Sequence, residues 1–179
     1  LKFPAGHFAH LSNTGITIKP WWKPEEQIKT YLINNLKTAK TQLKELITSS
    51  VKYRLISDVP YGTFLSGGAD ASLITAVAQQ QTGKIKTFSI GFKEAKYNET
   101  EYARSIANHL KTEHHEFIVS YRDALELFNE IITTYDEPFA DSSSIPTMLV
   151  SKLARQDVKM VLSGDGGDEL FFGYGAYHW

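Results

Sequence analysis

The sequence predicts an α/β fold in which a parallel sheet carries helices on both faces. Three observations predict it: four short apolar stretches, amphipathic stretches between them, and a glycine-rich loop directly after each of two apolar stretches. Strands that alternate with helices of this length form βαβ units, whose helices cover a parallel sheet. Ligands of such folds bind beyond the carboxyl ends of the strands. We therefore expect the two glycine-rich loops to converge on one site.

The expected elements follow one another along the whole chain. Residues 1–24 are typical of a linker or an entry strand, because they contain Pro4, Gly6, Gly15 and Pro20. From Pro24 onward, apolar residues recur at spacings near four, which predicts a helix. The predicted strands cover residues 61–65, 85–92, 115–120 and 158–162. The further predicted helices cover residues 71–81, 99–110, 122–135 and 145–155.

Composition excludes several classes of protein. The 179 residues carry a net charge of -1, so no broad positive field is available to bind nucleic acid. Cysteine is absent, which excludes disulfides, thiolate zinc sites and a cysteine nucleophile, and fits a cytoplasmic location. No apolar run reaches the roughly 20 residues that span a bilayer, so we expect no membrane partner.

The first glycine-rich loop runs from Ser66 to Asp70, between a predicted strand and a predicted helix. Its two glycines let backbone N–H groups surround an anion, and the helix start adds further donors. Asp70 beside phosphates requires a divalent cation, and Mg²⁺ is usually held by carboxylates together with phosphates. No lysine follows as in a Walker loop. The alternative is a tight turn in which Asp70 caps the helix.

The second loop, residues 163–169, contains three glycines and three carboxylates, those of Asp165, Asp168 and Glu169. We expect the carboxylates to face a common volume, where their repulsion requires a cation or a proton. This favours a metal–phosphate site completed by Asp168. The spacing of an EF-hand calcium loop is missing, whereas a solvated acidic turn stays open as an alternative.

Several motifs carry a resemblance to known proteins. The segment 64–70 resembles the pyrophosphatase loop of N-type ATP pyrophosphatases. The chain as a whole resembles the synthetase domain of glutamine-dependent asparagine synthetases, from about Pro4 to Trp179. The matching stretches are residues 54–60, 88–92, 98–99 with Tyr102 and Ala103, 112–116, 136–143 and 162–174.

The resemblance implies an adenine nucleotide alpha-hydrolase-like, Rossmann-like fold and an ATP-dependent ligase. In this family ATP activates the side-chain carboxylate of aspartate as an acyl-adenylate, pyrophosphate leaves, and ammonia made from glutamine displaces AMP. By resemblance, residues 1–24 are a linker from a glutaminase domain that the chain lacks. Residues 25–179 are then the amino-terminal part of the ATP-binding domain, without its carboxyl-terminal helical part. We expect this segment alone to be catalytically incomplete, and a homodimer stays open.

The resemblance also assigns roles to residues by position. The residues that would border the adenosine are Leu65, Ile90, Ser163 and Gly164. Those that would face the phosphates are Ser66, Gly67, Gly68 and Ser72. The cofactors are ATP and Mg²⁺, with Asp70 and Asp168 as the metal ligands. Asp165 falls where many members have a glutamate near the reacting centre, which implies a catalytic role in shuttling a proton or positioning ammonia.

Three positions depart from the family pattern. Ala71 replaces the usual serine, Ala69 replaces a larger apolar residue, and Phe172 stands where glycine is usual. Loss of the serine hydroxyl would weaken phosphate binding unless Ser72 compensates. Two other hypotheses therefore stay open: a nucleotide-binding module without turnover, and a related enzyme that activates a carboxylate other than aspartate.

Two further clusters have alternative interpretations. His114 and His115 could bind a metal, but neighbours on a strand point to opposite faces, which favours a structural role. Asp136 and Glu137, with Asp141 and the serines after it, could contact the amino-acid substrate. The alternative is that Ser142 or Ser143 caps the following helix.

Overall fold

The computed structural model describes residues 2–28, 32–93, 100–135, 137 and 141–175. The chain divides into two compact units, Leu1–Gln42 and Leu43–Trp179. Several motif residues used for the resemblance lie outside the described residues, namely residues 98–99, 136 and 138–140, and so do residues 176–179 at the end of the overall likeness. Among the residues that are described, no helix is both long and apolar enough to cross a bilayer.

The first unit contains a two-stranded antiparallel hairpin, β1 (His7–Ser12) and β2 (Gly15–Pro20). Leu11 pairs with Ile16 and Ala9 pairs with Ile18, so apolar side chains share one side of the ribbon. Where the sequence predicted a linker or a single entry strand, the structure has a hairpin. The assignment of residues 1–24 to an interdomain linker stays a prediction.

The helix predicted from Pro24 begins later. Pro24–Gln27 forms a short 3-10 turn, and α1 spans Leu36–Arg54. The Asn35 side chain accepts a hydrogen bond from the Thr38 N–H at 3.1 Å, which is the geometry of a helix cap. Asparagine favours caps over helix interiors because its side chain competes for backbone donors. The apolar spacing before Asn35 was therefore misleading.

The second unit is built on a four-stranded parallel sheet in the order β5-β4-β3-β6. Its strands are β3 (Tyr61–Phe64), β4 (Lys86–Phe92), β5 (Glu113–Val119) and β6 (Met160–Leu162). Each corresponds to a predicted strand, with bounds that differ by one or two residues at most ends. The loops after β3 and β6 leave two adjacent strands at the same edge of the sheet.

Helices cover the sheet on both faces, as predicted. They are α2 (Ala69–Thr82), α3 (Thr100–Leu110), α4 (Tyr121–Glu126), α5 (Phe128–Thr134), α6 (Ser144–Ala154) and α7 (Gly167–Phe171). On one face Val51 of α1 and Ala78 of α2 pack with Leu162, and α3 packs on Leu65. On the other face Phe88 packs against Val150 of α6.

The helix predicted over residues 122–135 is two helices. A capping box starts α4: the Ser120 hydroxyl accepts from the Asp123 N–H, and the Asp123 carboxylate accepts from the Ser120 N–H. Leu127 then separates α4 from α5, and its side chain is buried against Val119 and Leu149. The break falls at this buried leucine, which the sequence pattern does not reveal.

The two histidines of β5 point to different surroundings, as predicted for a structural pair. The His114 ring lies 2.9 Å from the Thr87 hydroxyl and 3.3 Å from the Ser89 hydroxyl, both within hydrogen-bond distance. The His115 ring stacks on Phe88, with ring centroids 5.1 Å apart. The pair is therefore not arranged to bind one metal ion.

The environment of His114 predicts a pH dependence of stability. Burial first, and then the neighbouring His115 and Arg104, hold the pKa of His114 below its usual value, while Glu116 opposes the shift. The folded chain therefore binds fewer protons than the unfolded chain below the ordinary histidine pKa of about 6.5. We expect the free energy of unfolding to fall as the pH is lowered from that value.

Urea unfolding at several pH values measures this effect. His114→Gln should flatten the decline, because glutamine does not titrate. His109→Gln, on the exposed side of α3, is the matched control and should leave the decline unchanged. Equal declines in wild type and His114→Gln would show that His114 is not the group responsible.

Candidate nucleotide-binding site

The two glycine-rich loops contact each other at two glycines of the second loop. A Cβ atom built on Gly164 would lie 2.6 Å from the Ala71 nitrogen, and one on Gly167 would lie 2.5 Å from the Asp70 Cγ. Real side chains do not tolerate such distances, so only glycine permits this approach. The predicted convergence of the loops is confirmed.

Gly67 allows the first loop to lie against α3. Its φ of +91° belongs to the left-handed region, which favours glycine. A Cβ there would lie 2.7 Å from the Tyr102 Cβ and 2.9 Å from the Ala103 nitrogen. Both the backbone conformation and the contact with α3 therefore require glycine at this position.

Helix α2 starts directly after the first loop without a side-chain cap. Gly68 is its N-cap residue and has no side chain, so it leaves the first N–H groups of the helix for an anion. Asp70 lies inside the first turn and is not the cap. The alternative that Asp70 caps the helix is therefore wrong, and its carboxylate instead lies against Gly167.

A cavity of about 500 Å³ lies at the ends of β3 and β6 and beside the middle of β4. All the predicted site residues except Gly67 and Ser72 line it, and they come from both loops and from β4. These lining residues are Leu65, Ser66, Gly68, Asp70, Ile90, Ser163, Gly164, Asp165 and Asp168. Leu65 is only 1% exposed because it packs against α3, so its contribution to the wall is small.

Two of the three acidic residues of the second loop, Asp165 and Asp168, line this cavity, whereas Glu169 does not, so the expected common volume holds only in part. Asp165 accepts a hydrogen bond from the Ser163 hydroxyl at 2.8 Å, while Glu169 accepts one from the Tyr174 hydroxyl at 2.8 Å. The Tyr174 hydrogen bond is the main cause that lowers the pKa of Glu169. In the described part of the chain no group of three or more acidic or histidine side chains is arranged to bind a metal.

Asp70, Asp165 and Asp168 are the acidic residues that line the cavity, and Asp70 and Asp168 are the two that the resemblance assigns to a cation. Both residues line the same cavity, together with Ser66 and Ser163. Carboxylate and hydroxyl oxygens are the donors that Mg²⁺ prefers, and phosphate oxygens and waters complete its shell. The chemistry of this donor set fits a magnesium ion.

Ser72 does not take the place of the serine that the family pattern has at position 71. Its hydroxyl donates to the Gly68 carbonyl at 2.5 Å, one turn back along α2, and Ser72 is absent from the cavity lining. Ala71 does line the cavity. In this structure the hydroxyl missing at Ala71 is therefore not supplied by its neighbour.

The sequence did not predict the residues that form one wall of the cavity. Pro146, Thr147 and Val150 of α6 line it, as do Phe88 and Ser89 of β4. No motif marks the residues of α6, because only its packing against β4 brings them to the cavity. For Ser89, the matching segment 88–92 was a signal, although it was used only for Ile90.

The segment before α6 is capped differently from the prediction. The carboxylate of Asp141 accepts a hydrogen bond from the Ser143 N–H at 2.8 Å, and the Ser144 hydroxyl donates to the Asp141 carbonyl at 2.7 Å. Ser143 itself makes no side-chain cap. Asp141, rather than one of the serines, therefore organises the start of α6.

Comparison with known proteins agrees with this geometry. The sequence pattern of the asparagine synthase family matches residues 42–179. The chain belongs to the asparagine synthase family. A Methanocaldococcus jannaschii protein named for asparagine synthetase is 50% identical over 133 residues, covering 73% of this chain and 26% of its own length. The glutamine-hydrolysing asparagine synthetase 1 of Bacillus subtilis is 37% identical over 156 residues, covering 83% and 25%.

A third relative extends the match to nearly the whole chain. Asparagine synthetase B of Escherichia coli, also named as glutamine-hydrolysing, is 29% identical over 203 residues, covering 99% of this chain and 34% of its own length. The chain thus spans about a quarter to a third of the length of these asparagine synthase relatives.

A solved structure supports the fold assignment. The NH3-dependent NAD synthetase from Campylobacter jejuni superposes with a TM-score of 0.52 at 17% identity, covering 75% of this chain and 60% of that one. At this identity the likeness concerns the fold alone. The predicted parallel, Rossmann-like α/β fold is confirmed.

Proposed function

We propose that this chain is the ATP-binding part of an asparagine synthetase of the glutamine-hydrolysing type. The observation that carries the proposal is the contact between two glycine-rich loops, which brings Asp70 and Asp168 to one cavity beyond the strand ends. Membership of the asparagine synthase family supports the same activity.

The first loop and the start of α2 bind the triphosphate. The Ser66 hydroxyl accepts from the Gly68 N–H at 3.3 Å and keeps its own proton to donate, and the Gly67 N–H is a backbone donor beside Gly68. The uncapped first turn of α2 adds N–H groups and the positive end of the helix dipole. Ser72 belongs to the same turn, although its hydroxyl donates to the Gly68 carbonyl. These groups hold negative charge without an added lysine.

The adenosine lies along the wall formed by Leu65, Ile90, Ser163 and Gly164. Ile90 is partly buried between two apolar clusters and offers an apolar surface to the base. Gly164 has no side chain that would fill the space beside Ala71. This arrangement turns the phosphates toward the first loop and toward Asp70.

Asp70 and Asp168 hold the magnesium ion from opposite loops. When bound, the ion offsets the charge that develops on the departing pyrophosphate. The side-chain carboxylate of aspartate attacks the α-phosphorus, and the bond to the bridging oxygen of the pyrophosphate breaks. The backbone donors of the first loop face this developing charge, so they stabilise the transition state more than the bound substrate.

The second step forms the amide. Ammonia attacks the acyl carbon of the aspartyl adenylate, the bond to AMP breaks, and one proton leaves the nitrogen. Asp165 is exposed at the cavity and is held by the Ser163 hydroxyl, so its carboxylate is available to orient the ammonia or to accept that proton. The ammonia comes from glutamine hydrolysed by a partner domain of the whole protein.

We also propose the acid substrate, the ammonia source and the location that the resemblance implies. Aspartate or another carboxylate is the acid substrate, a glutaminase domain is the ammonia source, and the location is cytoplasmic. A homodimer stays open as the assembly state.

One observation favours a second candidate function, a nucleotide-binding module without turnover. Ala71 lacks the hydroxyl that the family pattern has, and the Ser72 hydroxyl is bonded elsewhere. A hydrogen bond to a charged group is worth about 1.5–3 kcal/mol, so its loss weakens phosphate binding substantially.

Pyrophosphate release by the full-length protein tests these alternatives. With Mg²⁺-ATP, aspartate and ammonia, we expect pyrophosphate and asparagine in equal amounts, and we expect Asp70→Asn to abolish both products. Magnesium-dependent ATP binding without pyrophosphate release would favour the module. Release only with a different carboxylic acid would show a related ligase, and absence of ATP binding would contradict the proposal.

A further inference from the structure

The chain after α7 turns back onto that helix. Phe172 ends α7 with φ 57° and ψ 40°, in the left-handed region, where the family pattern has glycine. The Gly173 N–H donates to the Asp168 carbonyl at 3.0 Å and closes the turn. The segment formed by Phe172, Gly173 and Tyr174, called here the return turn, is therefore tied to the backbone of Asp168.

Gly173 has no side chain, and the Asp168 side chain occupies the space that one would fill. A Cβ atom built on Gly173 would overlap Oδ1 of Asp168 and would lie 2.8 Å from its Cγ. It would also lie 3.1 Å from the Asp168 Cα, so the backbone offers little freedom to move away. Since the φ of Gly173 is not positive, its backbone conformation does not require glycine; the close approach of Asp168 does.

The return turn also separates the two adjacent carboxylates of α7. The Tyr174 hydroxyl donates to the Glu169 carboxylate at 2.8 Å, on the exposed side of the turn. Asp168 instead lines the cavity with Asp70. The two neighbouring carboxylates therefore have different surroundings.

We propose that Gly173 is a positioning residue, which sets the side-chain conformation of Asp168 in which its carboxylate meets the cation of the bound nucleotide. This inference rests on the proposed function, because it takes Asp168 as a magnesium ligand. Groups that orient metal ligands change metal affinity by roughly 10- to 100-fold when altered. Gly173→Ala should act through Asp168 and leave the first loop intact.

The test measures ATP binding by calorimetry in the full-length protein over a range of Mg²⁺ concentrations. Gly173→Ala should raise the Mg²⁺ concentration for half-maximal ATP binding about tenfold or more. ATP binding without Mg²⁺ should not change. Gly175→Ala is the matched control, since among the described atoms nothing lies within 4 Å of a Cβ built there. Thermal unfolding of both variants should show a folded protein.

A double mutant separates positioning from general damage. Asp168→Asn alone should raise the Mg²⁺ requirement, and adding Gly173→Ala to it should produce no further increase, because both changes act on one carboxylate. A further increase in the double mutant, or a wild-type Mg²⁺ requirement in Gly173→Ala, would overturn the inference while leaving the proposed function intact. If Asp168→Asn keeps the wild-type requirement, the magnesium role proposed for Asp168 fails, and the inference fails with it.

Discussion

Gly67→Ala is expected to lower the free energy of unfolding by about 1–3 kcal/mol, the usual cost of forcing a side chain into a left-handed, sterically blocked position. The added methyl group meets the Tyr102 Cβ and the Ala103 nitrogen, and α3 cannot retreat because Ala103 is buried against Leu65. The first loop must move instead. ATP affinity should therefore fall at least about tenfold, the equivalent of one lost charge-assisted hydrogen bond.

A glycine at the other end of α2 supplies the control. Gly83 has φ +73°, and nothing lies within 4 Å of a Cβ built on it. Gly83→Ala therefore carries the strain of the positive φ without the contact with α3. Urea unfolding should show a larger destabilisation for Gly67→Ala, and calorimetry should show ATP affinity lost in that variant alone. Equal effects in both variants would mean that the close approach to α3 is unimportant.

Ala71→Ser is expected to strengthen Mg²⁺-dependent ATP binding roughly 10-fold or more, since a hydrogen bond to a charged phosphate is worth about 1.5–3 kcal/mol. Ala71 lines the cavity in the first turn of α2, where a hydroxyl adds a donor beside the uncapped N–H groups. Ser72 cannot already supply this donor while its hydroxyl is bonded to the Gly68 carbonyl. Calorimetric titration of the full-length protein with Mg²⁺-ATP measures the gain.

Ala69→Ser is the matched control for this substitution. Ala69 is exposed, lies in the same turn of α2 and is not part of the cavity lining. A serine there should leave ATP affinity unchanged. A gain in both variants would indicate a general effect on the start of the helix, whereas a gain in neither would show that position 71 does not face the phosphates.

The parts of the fold that local chemistry specifies were predicted well. The four strands of the sheet are short apolar segments followed by glycine-rich or polar turns. This pattern predicts the strands because apolar residues are the ones buried in the folded chain. The starts of α2 and α6 were each predicted within two residues. The prediction fails at two helix ends: α1 begins only after the Asn35 cap, and α4 ends at the buried Leu127.

The candidate site shows the same division. Glycine-rich motifs after two strands were enough to predict that the loops meet, because parallel strands end at a common edge. The side-chain directions were not predictable. Glu169 bonds to Tyr174 and Ser72 bonds to Gly68, so two groups expected at the phosphates or the cation are bonded to other partners.

By itself the amino-acid sequence determined the α/β class, the order of the strands along the chain and the loops that carry the polar groups. These depend on residue type and local spacing. Only the tertiary structure decided the order of strands in the sheet, the contribution of α6 to the cavity and the separation of Asp168 from Glu169. Those features depend on contacts between distant segments, whose energies no local pattern contains.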